Sequence, residues 1–533
     1  MTRTVKDATF DVLRHHGLTT IFANPGSTEV SFLTDLPADL EFVLALHEGS
    51  VVGMATGYAI ASGRPALVQL HTTAGLGNAV GALATARVNR APLVVLVGQQ
   101  DRRHLALEPF LAGKLAGLAG DYPVWTAQPL RAQDVPSAVS RAYHEAVAGR
   151  GPAVVIVPMD DWAEPFGDEE VVAAPAAVAR SSGVTADDVA GLVSLVAAAS
   201  SPVFVVGAGA DSADTWAALV PLAERLGCPV WQESFGARAG FPQDHPQFAG
   251  FLPAGRSRLR AVLAGHDLVL VVGAPAFRQY PYEPGPLVAA GTRIAVLTDD
   301  PVEAHHSPAD LAVVAPLAPA CALLASSVAA RPVVAVPPRR VPPAPPTGSE
   351  PLRAAHVFAA LASRLPADTV VVEESPSSRP DLHALLPARA PLGFLSAAMG
   401  GLGFALPAAA GVRLAAPDRP VVAVVGDGSS LYQVQALWSA ARYGAGVLFV
   451  VLANGRYAIM DRLAEAQGGK PPWPSFEDVS LSGLATALGC PALAVSSYAD
   501  LISVLDEVVP TLASRDTPLV LDVSVVADST FQP

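Results

Sequence analysis

Two short polar segments in the C-terminal third of the chain follow apolar runs. Asp427 lies in the segment GDGS after the run PVVAVV, and Asn454 lies in the segment ANGR after the run VLFVVL. If both runs are neighbouring parallel strands, these side chains lie together at the carboxyl edge of the sheet. Their oxygens suit Mg²⁺, and a helix beginning after Ser429 would direct N–H groups at an anion. The spacing therefore predicts a metal and diphosphate site, with a tight turn and an aspartate helix cap as the alternative.

Two further candidates lie in the N-terminal third of the chain. Glu48 begins the Ala- and Gly-rich segment EGSVVGMATGYAIASG and has no obvious basic partner. Because an unpaired buried carboxylate is costly, this position predicts a functional role. His71 follows the run PALVQL, and the ordinary titration range of histidine suits proton transfer near neutral pH. The alternatives are a helix-capping or surface glutamate and a structural histidine.

The elements that would position these residues are short apolar runs alternating with Ala-rich stretches. Runs such as PALVQL, PVFVVG and RIAVLT are too short for helices and too continuous for half-exposed strands. This pattern is typical of buried strands in parallel sheets. The sequence therefore predicts an α/β protein with three Rossmann-like parallel-sheet domains. The predicted domains are 1–170, 183–330 and 351–533, with linkers at about 166–182 and at the proline-rich stretch 331–350.

Composition and charge exclude several classes of protein. A hydrophobic content of 51% with 15% charged residues excludes a disordered chain, and a net charge of −14 excludes a general nucleic-acid coat. The uncharged stretch 189–210 is interrupted by Ser200-Ser201-Pro202, which predicts a helix, a turn and a buried strand rather than a membrane span. The N-terminus resembles neither a secretory signal nor a transit peptide. A reducing cytoplasm is the expected location, since only three widely spaced cysteines are present, Cys228, Cys321 and Cys490.

The GDG segment and the later asparagine resemble the metal motif of thiamine-diphosphate enzymes, although Ala453 replaces the first of that motif's two asparagines. The resemblance implies metal ligation by the side chains of Asp427 and Asn454 and by the backbone carbonyl of Arg456. Longer segments, collinear over nearly the whole chain, resemble the benzoylformate decarboxylases. These segments are NPGS at 24–27, HTTAGLGNAVGALATA at 71–86, GQQDRR at 98–103, HDLVLVVGAPAFR at 266–278, AMGGLGFALPAA at 398–409 and GDGSSLYQVQALWSAA at 426–441.

The resemblance implies a pyrimidine-binding, a central and a diphosphate-binding domain, with thiamine diphosphate and Mg²⁺ as cofactors. It also implies roles for individual residues. Glu48 would hydrogen-bond the aminopyrimidine ring of the cofactor, His71 would donate or accept a proton, and Ser27 would contact the substrate carboxylate. Leu402 would be an apolar wedge that forces the two cofactor rings into contact. Further cofactor contacts are implied for Asn24, Pro25, Gly26, Ser377, Gly401, Gly428, Ser429 and Tyr432.

Several positions depart from the pattern of that family. Its second active-site histidine aligns with Tyr280, a poorer proton shuttle because tyrosine titrates near pH 10. Slower protonation would favour capture of the reaction intermediate by an aldehyde acceptor. On the helix after the ANGR segment, Ile459 replaces a small residue and Leu463 replaces an aromatic one. With Phe110 and Leu111 on the opposite wall, these exchanges favour an aliphatic or reoriented 2-oxo acid, unless other substitutions restore an aryl pocket.

The predicted function is non-oxidative decarboxylation of a 2-oxo acid, benzoylformate-like or aliphatic, to an aldehyde and CO2. One alternative is a carboligase or lyase of the acetolactate synthase or benzaldehyde lyase type, which would form or cleave 2-hydroxy ketones. Another is a nucleotide-binding protein that uses Gly207-Ala208-Gly209, although Ser212 occupies the third glycine position of that motif. The arrangement of the family implies a cofactor shared across a subunit interface, in a homodimer within a homotetramer.

Overall fold

The chain folds around three six-stranded parallel sheets. The computed structural model describes residues 2–167, 178–179 and 181–527. Adjoining strands within each sheet run parallel. Strands β1 to β18, in chain order, are Thr20–Ala23, Glu41–Leu44, Ala66–Leu70, Leu93–Gln99, Trp125–Ala127, Pro152–Pro158, Pro202–Val206, Val230–Gln232, Phe248–Phe251, Leu268–Val272, Arg293–Thr298, Leu311–Val314, Val370–Glu374, Phe394–Ser396, Val421–Gly426, Leu448–Ala453, Ala492–Val495 and Leu519–Ser524.

Two of the sheets have the same strand order. The first sheet is ordered β2-β1-β3-β4-β6-β5 and the third β14-β13-β15-β16-β18-β17, whereas the middle sheet is β12-β11-β10-β7-β8-β9. The middle order is that of doubly wound dinucleotide-binding folds. The prediction of three Rossmann-like α/β domains is confirmed. The runs PALVQL, PVFVVG and RIAVLT supply β3, β7 and β11, and these strands are almost entirely buried.

Helices cover the faces of the sheets. Helix α1 shows how local sequence sets their limits, because Thr4 and Asp7 form a capping box at its start and Gly17 ends it at a φ of 67°. Helices α1 to α18, in chain order, are Val5–His16, Val30–Leu33, Glu48–Ser62, Thr72–Val88, Val135–Gly149, Ala186–Ala198, Ala213–Leu226, Arg256–Val262, Pro301–His306, Leu317–Ser327, Ala354–Ala362, Arg379–Leu385, Ala405–Ala415, Asp427–Ser430, Ala436–Arg442, Ala458–Ala466, Leu481–Ala487 and Tyr498–Val508.

Helices α3 and α13 pack closely and join the first domain to the third. A Cβ atom at Gly57 would overlap the backbone of Ala408, and one at Gly411 would overlap the backbone of Met54. Glycine at these two positions therefore allows the helix backbones to touch. Since α3 begins with Glu48, this packing also fixes the position of Glu48 relative to the third domain.

The remaining organisational predictions concern the connecting segments. Most of the predicted linker at 166–182 lies outside the described residues. The stretch 331–350 contains no helix or strand, and the N–H of Val334 bonds to Gly227 O at the end of α7. The stretch 189–210 divides as predicted, into the end of α6 at Ala198 and β7 from Pro202. Within the described ranges, every helix is too short or too polar to cross a bilayer.

Candidate active site

A cavity of about 430 Å³ opens where β15 and β16 end in the third domain. Asp427 and Asn454 follow these strands directly and both line the cavity. Oδ2 of Asp427 accepts the N–H groups of Asn454 at 2.7 Å and Gly455 at 2.6 Å, and Oδ1 accepts that of Gly428 at 2.8 Å. The predicted adjacency of Asp427 and Asn454 is confirmed. Their role as metal ligands stays a prediction.

The helix next to Asp427 differs from the prediction. Helix α14 begins at Asp427 itself and ends at Ser430, so the prediction of a helix beginning after Ser429 is wrong. The chain turns through 431–435 before α15 begins. A Cβ atom at Gly428 would overlap the rings of Tyr457 and Phe476, so side-chain packing requires this glycine.

The donor set around Asp427 fits a hard divalent cation. Burial raises the pKa of the Asp427 carboxyl, three backbone N–H groups oppose that shift, and the nearby carboxylate of Asp522 reinforces it. A bound cation would supply positive charge beside this buried carboxylate. The described residues contain no group of three or more His, Cys, Asp and Glu side chains placed to hold a metal. A site here would combine one carboxylate with amide and carbonyl oxygens, which suits Mg²⁺.

Most of the site residues predicted in the third domain line this cavity. The predicted residues that line it are Ser377, Leu402, Asp427, Gly428, Ser429, Tyr432, Asn454, Arg456 and Ile459. The N–H of Arg456 donates to Asn454 Oδ1 at 3.1 Å, which holds the turn after β16. Gly401 and Leu463 are not among the described lining residues.

A buried glutamate that the sequence analysis missed fixes the loop after Leu402. The carboxylate of Glu374, at the end of β13, accepts the N–H groups of Gly403, Phe404 and Ala405 at 2.5, 2.7 and 2.6 Å. Burial raises the pKa of Glu374 to about 7, against the effect of these three donors. Three bonds to consecutive residues hold the backbone directly beside Leu402, so Glu374 positions the predicted wedge. In the sequence, Glu374 is marked only by being the second of two consecutive glutamates at the end of an apolar run.

In the first domain, the side chain of Glu48 is held by two amides. Glu48 is 7% exposed; its Oε1 accepts from Asn24 Nδ2 and its Oε2 from Asn78 Nδ2, each at 3.1 Å. Glu48 begins α3 as predicted, and the side chain of His47 accepts the N–H of Gly49 as the helix cap. Both oxygens of Glu48 thus have fixed directions, and no basic side chain of the described residues pairs with it. Asn78 was not identified as a site residue from the sequence.

A third missed residue, Glu29, orients His71. Nδ1 of His71 lies 3.0 Å from Glu29 Oε2 and 2.9 Å from Thr28 Oγ1, and the Glu29 side chain is fully buried. The N–H of Gly26 donates to the same carboxylate at 2.8 Å, and a Cβ at Gly26 would overlap the His71 ring. A carboxylate facing Nδ1 favours the tautomer that carries its proton there. Nε2 is then the nitrogen available for proton exchange.

The predicted residues do not all meet within one chain. Pro25 and Ser27 are exposed beside Gly26 in the loop after β1. Phe110 is 87% exposed and Tyr280 is 60% exposed. The described lining of the cavity comes only from residues between 375 and 473, and so excludes Ser27, Glu48, His71, Phe110, Leu111 and Tyr280.

Comparisons with known proteins match three separate segments of the chain. Sequence models of the thiamine pyrophosphate enzymes match the chain in three places: the N-terminal TPP binding domain at 3–116, the central domain at 189–324 and the C-terminal TPP binding domain at 377–523. The chain is also 42% identical over 467 residues to the benzoylformate decarboxylase of Pseudomonas aeruginosa, which covers 86% of this chain and 87% of that protein. The chain belongs to the thiamine pyrophosphate enzyme family.

Further relatives of this thiamine pyrophosphate enzyme extend the match to the full chain. The structure of a thiamine diphosphate-dependent 4-hydroxybenzoylformate decarboxylase from Rhodococcus jostii RHA1 superposes with a TM-score of 0.91 at 36% identity, covering 99% of both chains. A more distant relative is an acetolactate synthase large subunit from Parasynechococcus marenigrum, 27% identical over 97% of this chain and 87% of that protein. The resemblance to benzoylformate decarboxylases inferred from the sequence is confirmed.

The glycines that suggested nucleotide binding in the central domain have a packing role. The N–H of Gly209 donates to Gly273 O at 2.8 Å, and Cβ atoms at Gly207 and Gly209 would crowd the neighbouring residues Ala274 and Gly273. The segment after β7 is a short 3-10 turn at Ala208–Ala210, and α7 is capped by the hydroxyl of Ser212. The glycines therefore serve a close contact between two loops.

Replacing Glu29 with glutamine should slow the enzyme strongly. Glutamine keeps the shape but lacks the carboxylate that fixes the His71 tautomer. The variant should lose a large part of the roughly 10²- to 10⁴-fold that a positioned acid–base group supplies. Steady-state decarboxylation rates measure this loss, with Glu145, a partly exposed residue on α5, changed to glutamine as the matched control. Unchanged rates in Glu29→Gln would show that His71 does not depend on this contact.

Proposed function

We propose that this protein is a thiamine-diphosphate- and Mg²⁺-dependent decarboxylase that converts a 2-oxo acid to an aldehyde and CO2. The observation that carries the proposal is the pairing of two preformed parts. One is the third-domain cavity with Asp427, Asn454 and Leu402; the other is the first-domain pair of fixed side chains, Glu48 and His71. The strong similarity to benzoylformate decarboxylase supports the reaction type.

The third domain would hold the diphosphate end of the cofactor. Asp427, Asn454 and the backbone carbonyl of Arg456 would bind Mg²⁺, with Ser377 and Ser429 facing the same cavity. When bound, thiamine diphosphate supplies the electron sink that lets the bond to the carboxylate carbon break. The apolar lining residues Leu402, Leu452 and Met460 would limit the access of water, and Glu374 fixes the loop that follows Leu402.

The first domain would supply binding and proton transfer. Glu48 would hold the proton on the pyrimidine nitrogen. The side-chain amides of Asn24 and Asn78 each donate to the Glu48 carboxylate and fix its orientation. His71, oriented by Glu29, would move a proton through Nε2, and Ser27 would bind the substrate carboxylate.

A second copy of the chain would complete each site. The described lining of the cavity lacks first-domain residues, and exposed apolar side chains lie on both parts that would meet. These are Leu46, Leu107 and Phe110 in the first domain and Met399 and Tyr432 in the third. We propose a homodimer as the smallest active unit, within a tetramer. We also propose a cytoplasmic location for the protein, since its three cysteines are free and buried, as a reducing compartment would keep them.

Carboligation is the second candidate function, favoured by Tyr280. This tyrosine replaces the family's second histidine, and the central domain brings its segment near the cavity loop, since Arg278 Nη1 donates to Ala398 O at 3.4 Å. The test measures CO2, aldehyde and 2-hydroxy ketone from benzoylformate, with and without added acetaldehyde. Aldehyde equal to CO2 supports the decarboxylase. Ketone as the main product, reduced in Tyr280→His, would establish the ligase instead.

A further inference from the structure

A second cavity adjoins the cavity of about 430 Å³ at the ends of β15 and β16, which we call the reaction cavity, and shares one wall with it. This cavity has a volume of about 240 Å³ and is lined by Asp461, Glu465, Pro471, Pro474 and Ser475. Arg456 and Trp473 line both cavities. The indole of Trp473 therefore stands between the reaction cavity and empty space of considerable size.

Separate contacts hold the indole of Trp473 and the segment that follows it. Its Nε1–H donates to Asp461 Oδ1 at 2.9 Å, and Asp461 lies on α16, two positions after Ile459. Just beyond Trp473, the N–H of Phe476 donates to Gly455 O at 2.8 Å, and the Phe476 ring packs on Tyr457 with 5.0 Å between centroids. The segment that carries Trp473 is thus tied to the turn after β16.

Trp473 supplies an aromatic wall that the sequence analysis did not anticipate. The helix position where the family has an aromatic residue holds Leu463, which lies outside the described cavity lining. Trp473 instead reaches the cavity from the segment after α16 and faces it together with Leu402, Leu452, Ile459 and Met460. A flat indole beside aliphatic side chains suits an aromatic ring, since ring pairs attract beyond simple burial.

We propose that Trp473 determines substrate specificity: its indole selects 2-oxo acids that carry an aryl group on the oxo carbon, and it closes the cavity against larger ones. This inference rests on the proposed decarboxylase function and names its substrate class. It favours the alternative that the sequence left open, in which a substitution elsewhere restores an aryl pocket, over an aliphatic or reoriented substrate.

The test compares kcat/KM for benzoylformate, 2-naphthyl-2-oxoacetate and 3-methyl-2-oxobutanoate in the parent enzyme, Trp473→Ala and Trp473→Phe. Truncation to alanine joins the two cavities. Trp473→Ala should lower kcat/KM for benzoylformate about tenfold and raise kcat/KM for the naphthyl acid. For the aliphatic acid, kcat/KM should change less than about threefold. Trp473→Phe keeps a ring and should retain most activity on benzoylformate. Trp125→Ala, on β5 of the first domain, is the matched control.

Asp461→Ala tests the same wall without truncating it. Freeing the indole N–H should weaken the preference for benzoylformate over the aliphatic acid in the same direction as Trp473→Ala. Equal aryl-to-aliphatic ratios in the parent enzyme and in Trp473→Ala would overturn the proposal.

A binding measurement separates this inference from the proposed function. The 2-hydroxy analogues of the aryl and aliphatic acids are titrated into the parent protein and Trp473→Ala, loaded with thiamine diphosphate and Mg²⁺, and followed by thermal shift. Loss of the binding preference for aryl analogues in Trp473→Ala supports the role of Trp473 even if the parent releases no CO2. Absence of CO2 release would contradict only the proposed decarboxylase function. An unchanged preference overturns the role of Trp473.

Discussion

Glu48→Gln is expected to reduce kcat by about 10²- to 10⁴-fold, the contribution of a positioned acid–base group. Glutamine has nearly the same shape as glutamate and keeps the helix start at α3. It cannot hold or release the proton that the proposed role requires. It also places an amide against the amides of Asn24 and Asn78, which now donate to the carboxylate. The measurement is single-turnover and steady-state decarboxylation at saturating cofactor.

The matched control for Glu48→Gln is Glu41→Gln, an exposed glutamate on β2 of the same domain. The control should keep the activity of the parent enzyme. Thermal unfolding of both variants separates a chemical loss from a loss of folding. A Glu48→Gln enzyme within fivefold of the parent would remove Glu48 from the proposed chemistry.

Asp427→Ala is expected to abolish tight binding of thiamine diphosphate. The variant removes the only carboxylate among the described residues that line the cavity, and with it three bonds from backbone N–H groups. Loss of an outer partner of a metal ligand already costs about 10- to 100-fold in affinity, so loss of the ligand itself should cost more than about 100-fold. Quenching of tryptophan fluorescence by the cofactor, at several Mg²⁺ concentrations, measures this change.

The control for Asp427→Ala is Asp506→Ala, which removes an exposed carboxylate on α18 of the same domain. The control should bind thiamine diphosphate as the parent does, with the same dependence on Mg²⁺. Equally tight, Mg²⁺-dependent binding in Asp427→Ala would place the metal elsewhere, and binding independent of Mg²⁺ in the parent would remove the metal from the proposal.

The sequence predicts those features that depend on residues close together in the chain. Buried strands are recognisable from continuous apolar runs, and two such runs ending in polar residues place Asp427 beside Asn454 once the sheet is parallel. The start of α3 at Glu48 is likewise local. Resemblance to a known family adds the cofactor, which composition and spacing alone leave open.

Contacts between distant segments could not be predicted in this way. Glu29 reaches His71 because β1 and β3 are neighbours in the sheet, and no periodic pattern encodes that pairing. Glu374 finds its three donors in a loop about 30 residues later. Trp473 lies in a proline-rich segment without helix or strand pattern, so only the folded chain shows that it lines the cavity, which Leu463 does not reach among the described residues.

The most direct test of the account measures CO2 released from benzoylformate by the purified protein, with thiamine diphosphate and Mg²⁺ supplied together, singly or not at all. The account predicts CO2 with an equal amount of benzaldehyde when both are supplied, and almost none after either is removed by chelation and dialysis. CO2 release that persists without the cofactor, or none from benzoylformate and other 2-oxo acids with both supplied, would contradict it.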